Sequence, residues 1–179
     1  MMTDGDKMKK YILTGGPGSG KSSIILALEQ RGEYVIREAA EDYIKLRQAQ
    51  GVKCPWKEPD FQEKILKLQM QREASINPAA KRVFIDRGLH DGLAYENKGT
   101  AAHNKILKAT FAVNYEKVFL IELLGDVDKT DVRRENNKQA KALECALDKT
   151  YRTAGYGLIR IAANQLTKRV KQILRIINR

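Results

Sequence analysis

The chain has 179 residues, 42% of them hydrophobic and 31% charged, with a net charge of +11. That length suits a single domain over 1–179 built around one core, and the composition excludes wholesale disorder. No apolar run approaches the roughly 20 residues that cross a bilayer, and Met1 to Lys10 holds no signal-like apolar stretch, so a cytoplasmic protein without membrane contact is expected.

Tyr11-Ile12-Leu13 is a short apolar run closed by a Gly-rich turn, the pattern of a buried strand. A helix follows over Lys21 to Gln30, apolar at Ile24, Ile25, Leu26 and Leu28, and Gly32 lies just past it. Tyr34-Val35-Ile36 predicts a second strand and Glu38 onward a helix to about Gln50; the two prolines within Gly51 to Asp60 mark a loop. Phe61, Ile65, Leu68 and Ile76 repeat at helical spacing up to Pro78. Val83-Phe84-Ile85 gives a third strand ending at Asp86, and a helical stretch from Leu93 to Ala112 is broken near Gly99. Val118 to Ile121 is the fourth strand, followed by a polar excursion from Gly125 to Thr130 and a long helix from about Glu135 to Thr153. Leu158 to Ile161 is the fifth strand, and Leu166, Val170, Ile173, Leu174 and Ile177 form the apolar stripe of a closing helix. Strands alternating with helices predict an α/β fold, a mainly parallel sheet covered on both faces.

Gly15-Gly16-Pro17-Gly18-Ser19-Gly20-Lys21-Ser22 fits the phosphate-loop pattern GxxxxGK[ST] between a predicted strand and a predicted helix. Glycines allow the turn and leave room for phosphate beside the backbone. The exposed N–H groups and the helix N-terminus bind anionic oxygens. Lys21 then meets the β- and γ-phosphates, the Ser22 hydroxyl is a magnesium ligand, and Ser23 caps or supports the first helical turn. A nucleoside triphosphate with Mg2+ is the expected ligand.

The third strand delivers Asp86 to its C-terminal end, where ligands gather in open α/β sheets and a carboxylate can hold magnesium. Arg87 follows, and Asp91 completes a polar cluster; Arg87 is read either as a contact to the transferred phosphoryl group or as the partner of a nearby carboxylate. Glu38, after the second strand, is placed to orient an acceptor hydroxyl and take its proton, with Glu41 one turn further. Arg133 and Arg134 fall where a lid over about 125–137 would bring arginines to the triphosphate.

Cys54 and Cys145 have neither metal-ligand nor redox spacing, and His90 and His103 are too scattered for a metal site. The basic charge raises the local concentration of polyanions, leaving nucleic acid as a possible partner, though no RNA-binding signature accompanies it.

Three groups of residues carry a family resemblance: Tyr11 through Ser23, Val35-Ile-Arg-Glu-Ala-Ala-Glu-Asp-Tyr-Ile, and Val83-Phe-Ile-Asp-Arg-Gly-Leu-His-Asp-Gly-Leu-Ala-Tyr. With Arg133-Arg-Glu and Tyr151 through Tyr156, the chain resembles small P-loop ATPase/kinase-like proteins classed among AAA domains, related to the nicotinamide-riboside-kinase-like domain of NadR-type proteins. The resemblance implies a P-loop NTPase fold, kinase-like and three-layered, with sheet order 2-3-1-4-5 and a small helical lid. It puts functional weight on Lys21, Ser22, Glu38, Asp86 and Arg133. One departure is the Glu122-Leu-Leu-Gly-Asp segment, which lacks the family's proline-rich turn before the lid. The function expected is transfer of the γ-phosphoryl group of ATP to a small hydroxyl-bearing metabolite such as a nucleoside. The alternative is a nucleotide-operated ATPase switch acting on a protein or RNA. No Asn-Lys-x-Asp guanine motif is present, which favours adenine, read by the loop from Ala162 to Gln165.

Overall fold

The computed structural model describes residues 8–124 and 137–178. Among these, five strands alternate with six helices. The strands are β1 (Lys9–Thr14), β2 (Tyr34–Ile36), β3 (Arg82–Asp86), β4 (Lys117–Ile121) and β5 (Leu158–Ile161). The helices are α1 (Lys21–Glu29), α2 (Ala39–Ala49), α3 (Phe61–Ala74), α4 (Ala101–Thr110), α5 (Asn137–Thr153) and α6 (Leu166–Ile177). The strands make one sheet in the order β2-β3-β1-β4-β5, with every pairing parallel. This is the expected three-layer kinase-like arrangement.

The central strands read as unbroken apolar runs because both sheet faces are covered. Side chains alternate between the faces with period two. Tyr11 and Leu13 join Phe84, Phe119 and Ile161 on the face that α1 and α6 cover through Ile24, Leu28, Val170 and Ile173. Ile12 joins Ile85 and Val118 on the opposite face, under Tyr151 of α5. Each such Leu, Ile or Phe contributes about 1.5–3 kcal/mol by leaving water, and a one-residue slip of β1 would swap Leu13 and Ile12 between the two packed faces and misplace the turn that follows.

Two boundaries differ from the sequence pattern. α3 ends at Ala74, where the Ser75 hydroxyl donates to the Gln71 carbonyl at 2.7 Å; Ile76 leaves the helix to pack on the β3 face. The break expected near Gly99 within Leu93 to Ala112 is present, but the piece before it is a 3-10 turn that starts earlier, at Leu89–Ala94, and α4 follows. Gly99 at φ 86 separates them, and Thr100 caps α4 by accepting from the His103 N–H at 3.1 Å.

Parallel strands bring their C-terminal ends to one edge, where α/β sheets bind ligands. The register sets Leu13 opposite Asp86, so the end of β3 stands beside the turn leaving β1.

Candidate active site

Past Thr14 the backbone turns through Gly15 (φ 143), Gly18 (φ 84) and Gly20 (φ 85) into α1. Gly15 is required twice over: its φ is closed to L side chains, and a Cβ there would lie 2.4 Å from the Ile121 carbonyl oxygen. Gly20 is the N-cap of α1 and offers no side chain, so the first-turn N–H groups are left to an anion. Of the two roles expected for Ser23, capping is not the one it takes, since α1 has no side-chain cap; Ser23 lines the neighbouring cavity. Lys21 is buried, and its Nζ donates to the carbonyls of Gly15 (2.9 Å) and Gly16 (3.0 Å) and to Ser19 Oγ (3.3 Å). Burial lowers its pKa, Arg87 adds to the effect, and Asp86 opposes it.

Asp86 sits at the foot of the loop, where its Oδ2 accepts from the Ser22 hydroxyl at 3.2 Å. Its Oδ1 is buried without a hydrogen-bond partner. Burial raises the Asp86 pKa, against the pull of Lys21 and with a push from Glu38. A buried carboxylate oxygen facing no donor, beside a serine hydroxyl, is a fitting pair for a hard cation such as magnesium. Among the described residues no cluster of three or more His, Cys, Asp or Glu forms a metal cage.

Arg87 is the one non-glycine residue with positive φ (67) among those described. Such a backbone costs about 1–2 kcal/mol and persists where the surroundings over-determine it. Here they do. The Arg87 N–H donates to the Leu13 carbonyl at 3.0 Å, and its own carbonyl accepts from Gln69 Nε2 at 3.1 Å. Its guanidinium lies 3.0 Å from Glu38 Oε1 through Nε, 3.2 Å from Asp91 Oδ1 through a terminal nitrogen, and over the Tyr95 ring. Asp91 is itself fully engaged. Its Oδ1 also accepts from Thr14 Oγ1 at 2.8 Å, and its Oδ2 accepts from the Gly88 N–H at 3.1 Å and from the Tyr151 hydroxyl. Burial, with the Asp91 charge next, pushes the Tyr151 pKa well up, so its hydroxyl remains a donor.

A cavity of about 560 Å³ opens from the phosphate loop toward α2, α3 and α4. Lys21, Ser22, Glu38 and Arg87 line its inner end, and Ile44, Trp56, Phe61, Ile65 and Ile106 line its walls.

Of the expected residues, the structure thus gathers Lys21, Ser22, Glu38, Asp86 and Arg87 at one point. Arg87 makes the carboxylate pairing that one of its two readings expects, with Glu38 and Asp91. Glu41 also lines the cavity, where it is paired with Lys45. Ala162 to Gln165 form an exposed loop before α6. The lid over 125–137, with Arg133 and Arg134, falls outside the described residues save for Asn137 at the start of α5. Two further residues matter here. Asp91 was seen only as a member of a polar cluster, although its spacing of four from Arg87 fits the pair it makes. Arg169 carries a charge on the apolar stripe of α6, between Leu166 and Val170, and is buried.

A family model described as an AAA domain matches residues 10–169. No curated protein sequence matches the chain. Among solved structures it resembles a NadR protein in complex with NAD and AMP-PNP, at 13% identity and TM-score 0.73. That match covers 96% of this chain and 49% of the other, so the chain spans about half the NadR length. It also resembles the deoxyadenosine kinase of M. mycoides (13% identity, TM-score 0.58, 94% and 98% covered). A third likeness is to thymidylate kinase from Candida albicans (12% identity, TM-score 0.65, 96% and 92% covered). At these identities the likeness is one of fold.

Proposed function

The chain belongs to this AAA domain family, and from that premise we propose that it is an ATP-dependent phosphotransferase whose acceptor is a small, uncharged, hydroxyl-bearing molecule of nucleoside type. The observation that carries the reading is the cavity of about 560 Å³ that joins the phosphate loop to Glu38 and Arg87. A nucleotide switch has no need of an acceptor chamber at that position; a kinase does, and the volume lies within the range of small-molecule sites.

The roles follow from position. The loop N–H groups and Lys21 hold the triphosphate, Lys21 exchanging its carbonyl partners for phosphate oxygens. Magnesium, held by Ser22 and Asp86, would neutralise phosphate charge. Glu38 accepts the proton of the acceptor hydroxyl as its oxygen attacks the γ-phosphorus; the bond from that phosphorus to the bridging oxygen breaks, and ADP leaves with the electron pair. Arg87 holds Glu38 in place and presents a cation near the transferred group. Arg133, outside the described residues, would add positive charge over the triphosphate.

Charge inside the cavity supports an uncharged acceptor. Among the described residues lining it the cations are Lys21, Lys45 and Arg87; Lys21 belongs to the loop, Lys45 is paired with Glu41, and Arg87 with Glu38 and Asp91. The remaining wall, with Trp56, Phe61 and Ile65, suits a flat apolar ring. A nucleoside fits this inventory better than a nucleoside monophosphate, whose dianion would lack an unengaged partner there.

The test is ADP release from magnesium ATP across a panel of nucleosides, nucleoside monophosphates and pyridine ribosides, with Lys21→Ala as control. Strong stimulation by one uncharged acceptor, lost in the control, is expected. Stimulation by a monophosphate alone would refute the charge argument. ATP binding with no stimulation by any acceptor would favour the nucleotide-operated switch.

A further inference from the structure

We propose that Arg169, on the last helix and outside the loop motif, is a positioning residue of the triphosphate site: it holds the phosphate loop in its binding shape through the Ser19 carbonyl. The inference rests on the nucleotide-binding reading above.

Arg169 is 2% exposed and lies against the loop from behind. One terminal nitrogen donates to the Ser19 carbonyl at 2.6 Å, the other to the carbonyls of Glu122 (2.9 Å) and Ile161 (3.4 Å). Those three acceptors belong to the phosphate loop, the exit of β4 and the end of β5. The guanidinium also packs on the loop's last glycine: a Cβ on Gly20 would come within 3.2 Å of it.

The Ser19 contact has a direct geometric consequence. In a trans peptide the C=O and the following N–H point in opposite directions. Drawing the Ser19 carbonyl back toward Arg169 therefore aims the Gly20 N–H away from it, toward the concave side of the loop. A loop whose donors are aimed before the ligand arrives spends less binding energy on ordering.

The electrostatics point the same way. All three hydrogen-bond acceptors are neutral carbonyls, and Nε is buried with no partner. The carboxylate of Glu122 is engaged by Arg160. Burial pulls the Arg169 pKa down, and the Glu122 charge offsets only part of that. A buried cation whose hydrogen bonds all go to neutral carbonyls, with no carboxylate in direct contact, is poor stabilisation for a fold. It suits a place where a polyanion binds on the far side of the loop, because the phosphates then supply the missing counter-charge. A role confined to stability would be served as well by an apolar side chain continuing the α6 stripe.

The experiment is titration calorimetry of magnesium ATP and of inorganic triphosphate, at a temperature well below unfolding, on wild type, Arg169→Lys, Arg169→Gln and Lys21→Ala. Thermal midpoints of the ligand-free proteins are measured alongside. Lysine keeps the charge but loses the planar fork, so R169K should weaken both ligands about tenfold, the scale of a charge-assisted hydrogen bond, and R169Q further. A staple of purely structural kind predicts the opposite split, a lowered midpoint with wild-type affinity. Affinity of R169K within twofold of wild type overturns the proposal, and so does failure of R169K to fold; if only R169Q fails to fold, R169K decides. Should K21A also leave triphosphate affinity intact, the nucleotide-site reading itself falls. Loss of affinity in K21A alone refutes only the role of Arg169.

Discussion

Replacing Asp91 with Asn tests how the acceptor end of the site is held. The carboxylate takes four donors: Thr14 Oγ1, the Gly88 N–H, the Tyr151 hydroxyl and Arg87. An amide oxygen can keep Thr14 and part of Arg87, and the Tyr151 hydroxyl can rotate to accept from the new amino group. The Gly88 N–H cannot; it would face another donor. Arg87, only 12% exposed at its side chain, would lose half its counter-charge. Breaking a buried pair by removing one partner costs about 3–5 kcal/mol, against a whole-domain stability of about 5–15 kcal/mol. At about 2–4 °C per kcal/mol for a chain of this size, D91N should lower the thermal midpoint by about 6–20 °C. Tyr151→Phe leaves the charges alone and removes one donor, so about 1–3 kcal/mol is expected. Because both changes act on one network, the double variant should fall short of the sum of the two. Thermal unfolding of the three variants checks this. A D91N midpoint within about 3 °C of wild type, or strict additivity, would refute the picture of one coupled cluster.

Glu38→Gln should reduce acceptor-stimulated turnover by about 10²-fold or more while magnesium ATP affinity stays within about threefold, because the change removes a base and leaves the loop untouched; stopped assays paired with calorimetry read both. Gly15→Ala sets a methyl against the Ile121 carbonyl at a φ closed to alanine, so ATP affinity should fall at least about tenfold, with a lowered thermal midpoint. Gly88→Ala would place its Cβ 2.7 Å from the Tyr151 hydroxyl, displacing it from Asp91, and should reproduce much of the D91N loss in the same melts. Burial lowers the His90 pKa in the folded state, so the unfolded chain takes up the proton first. Its contribution is complete above the unfolded value of about 6.5 and is lost as pH falls through the folded pKa. Urea unfolding between pH 8 and 5 should therefore show stability declining below about 6.5, with a flatter decline in His90→Gln.

The fold was legible because its signals are local. Ile12 and Ile85 lie in apolar runs of strand length, and Gly15 through Ser22 is a motif whose conformation each glycine enforces. Asp86 was readable for the same reason, as the last residue of such a run. What the sequence could not rank was the pairing among residues remote in the chain. Arg87 meets Glu38 from β2's exit, Asp91 meets Tyr151 from α5, and Arg169 meets Ser19 across most of the chain. Each is a polar contact between one charged residue and one of many eligible partners. Periodicity says which face a residue shares but not which loop that face will meet. Arg169 did leave a trace, since a charge on the stripe formed by Leu166, Val170 and Ile173 breaks the pattern that buries α6. A buried charge is tolerated where some gain offsets its desolvation, and it directs attention to the nearest anion site. The same reasoning applies to Arg87, whose positive φ and double carboxylate pairing would add nothing to an idle turn. The local rules fail at both arginines, one behind the phosphate loop and one at the acceptor end. Violations of this kind collect where structure serves chemistry rather than stability, and under the proposed function the transferred phosphoryl group would lie between these two arginines.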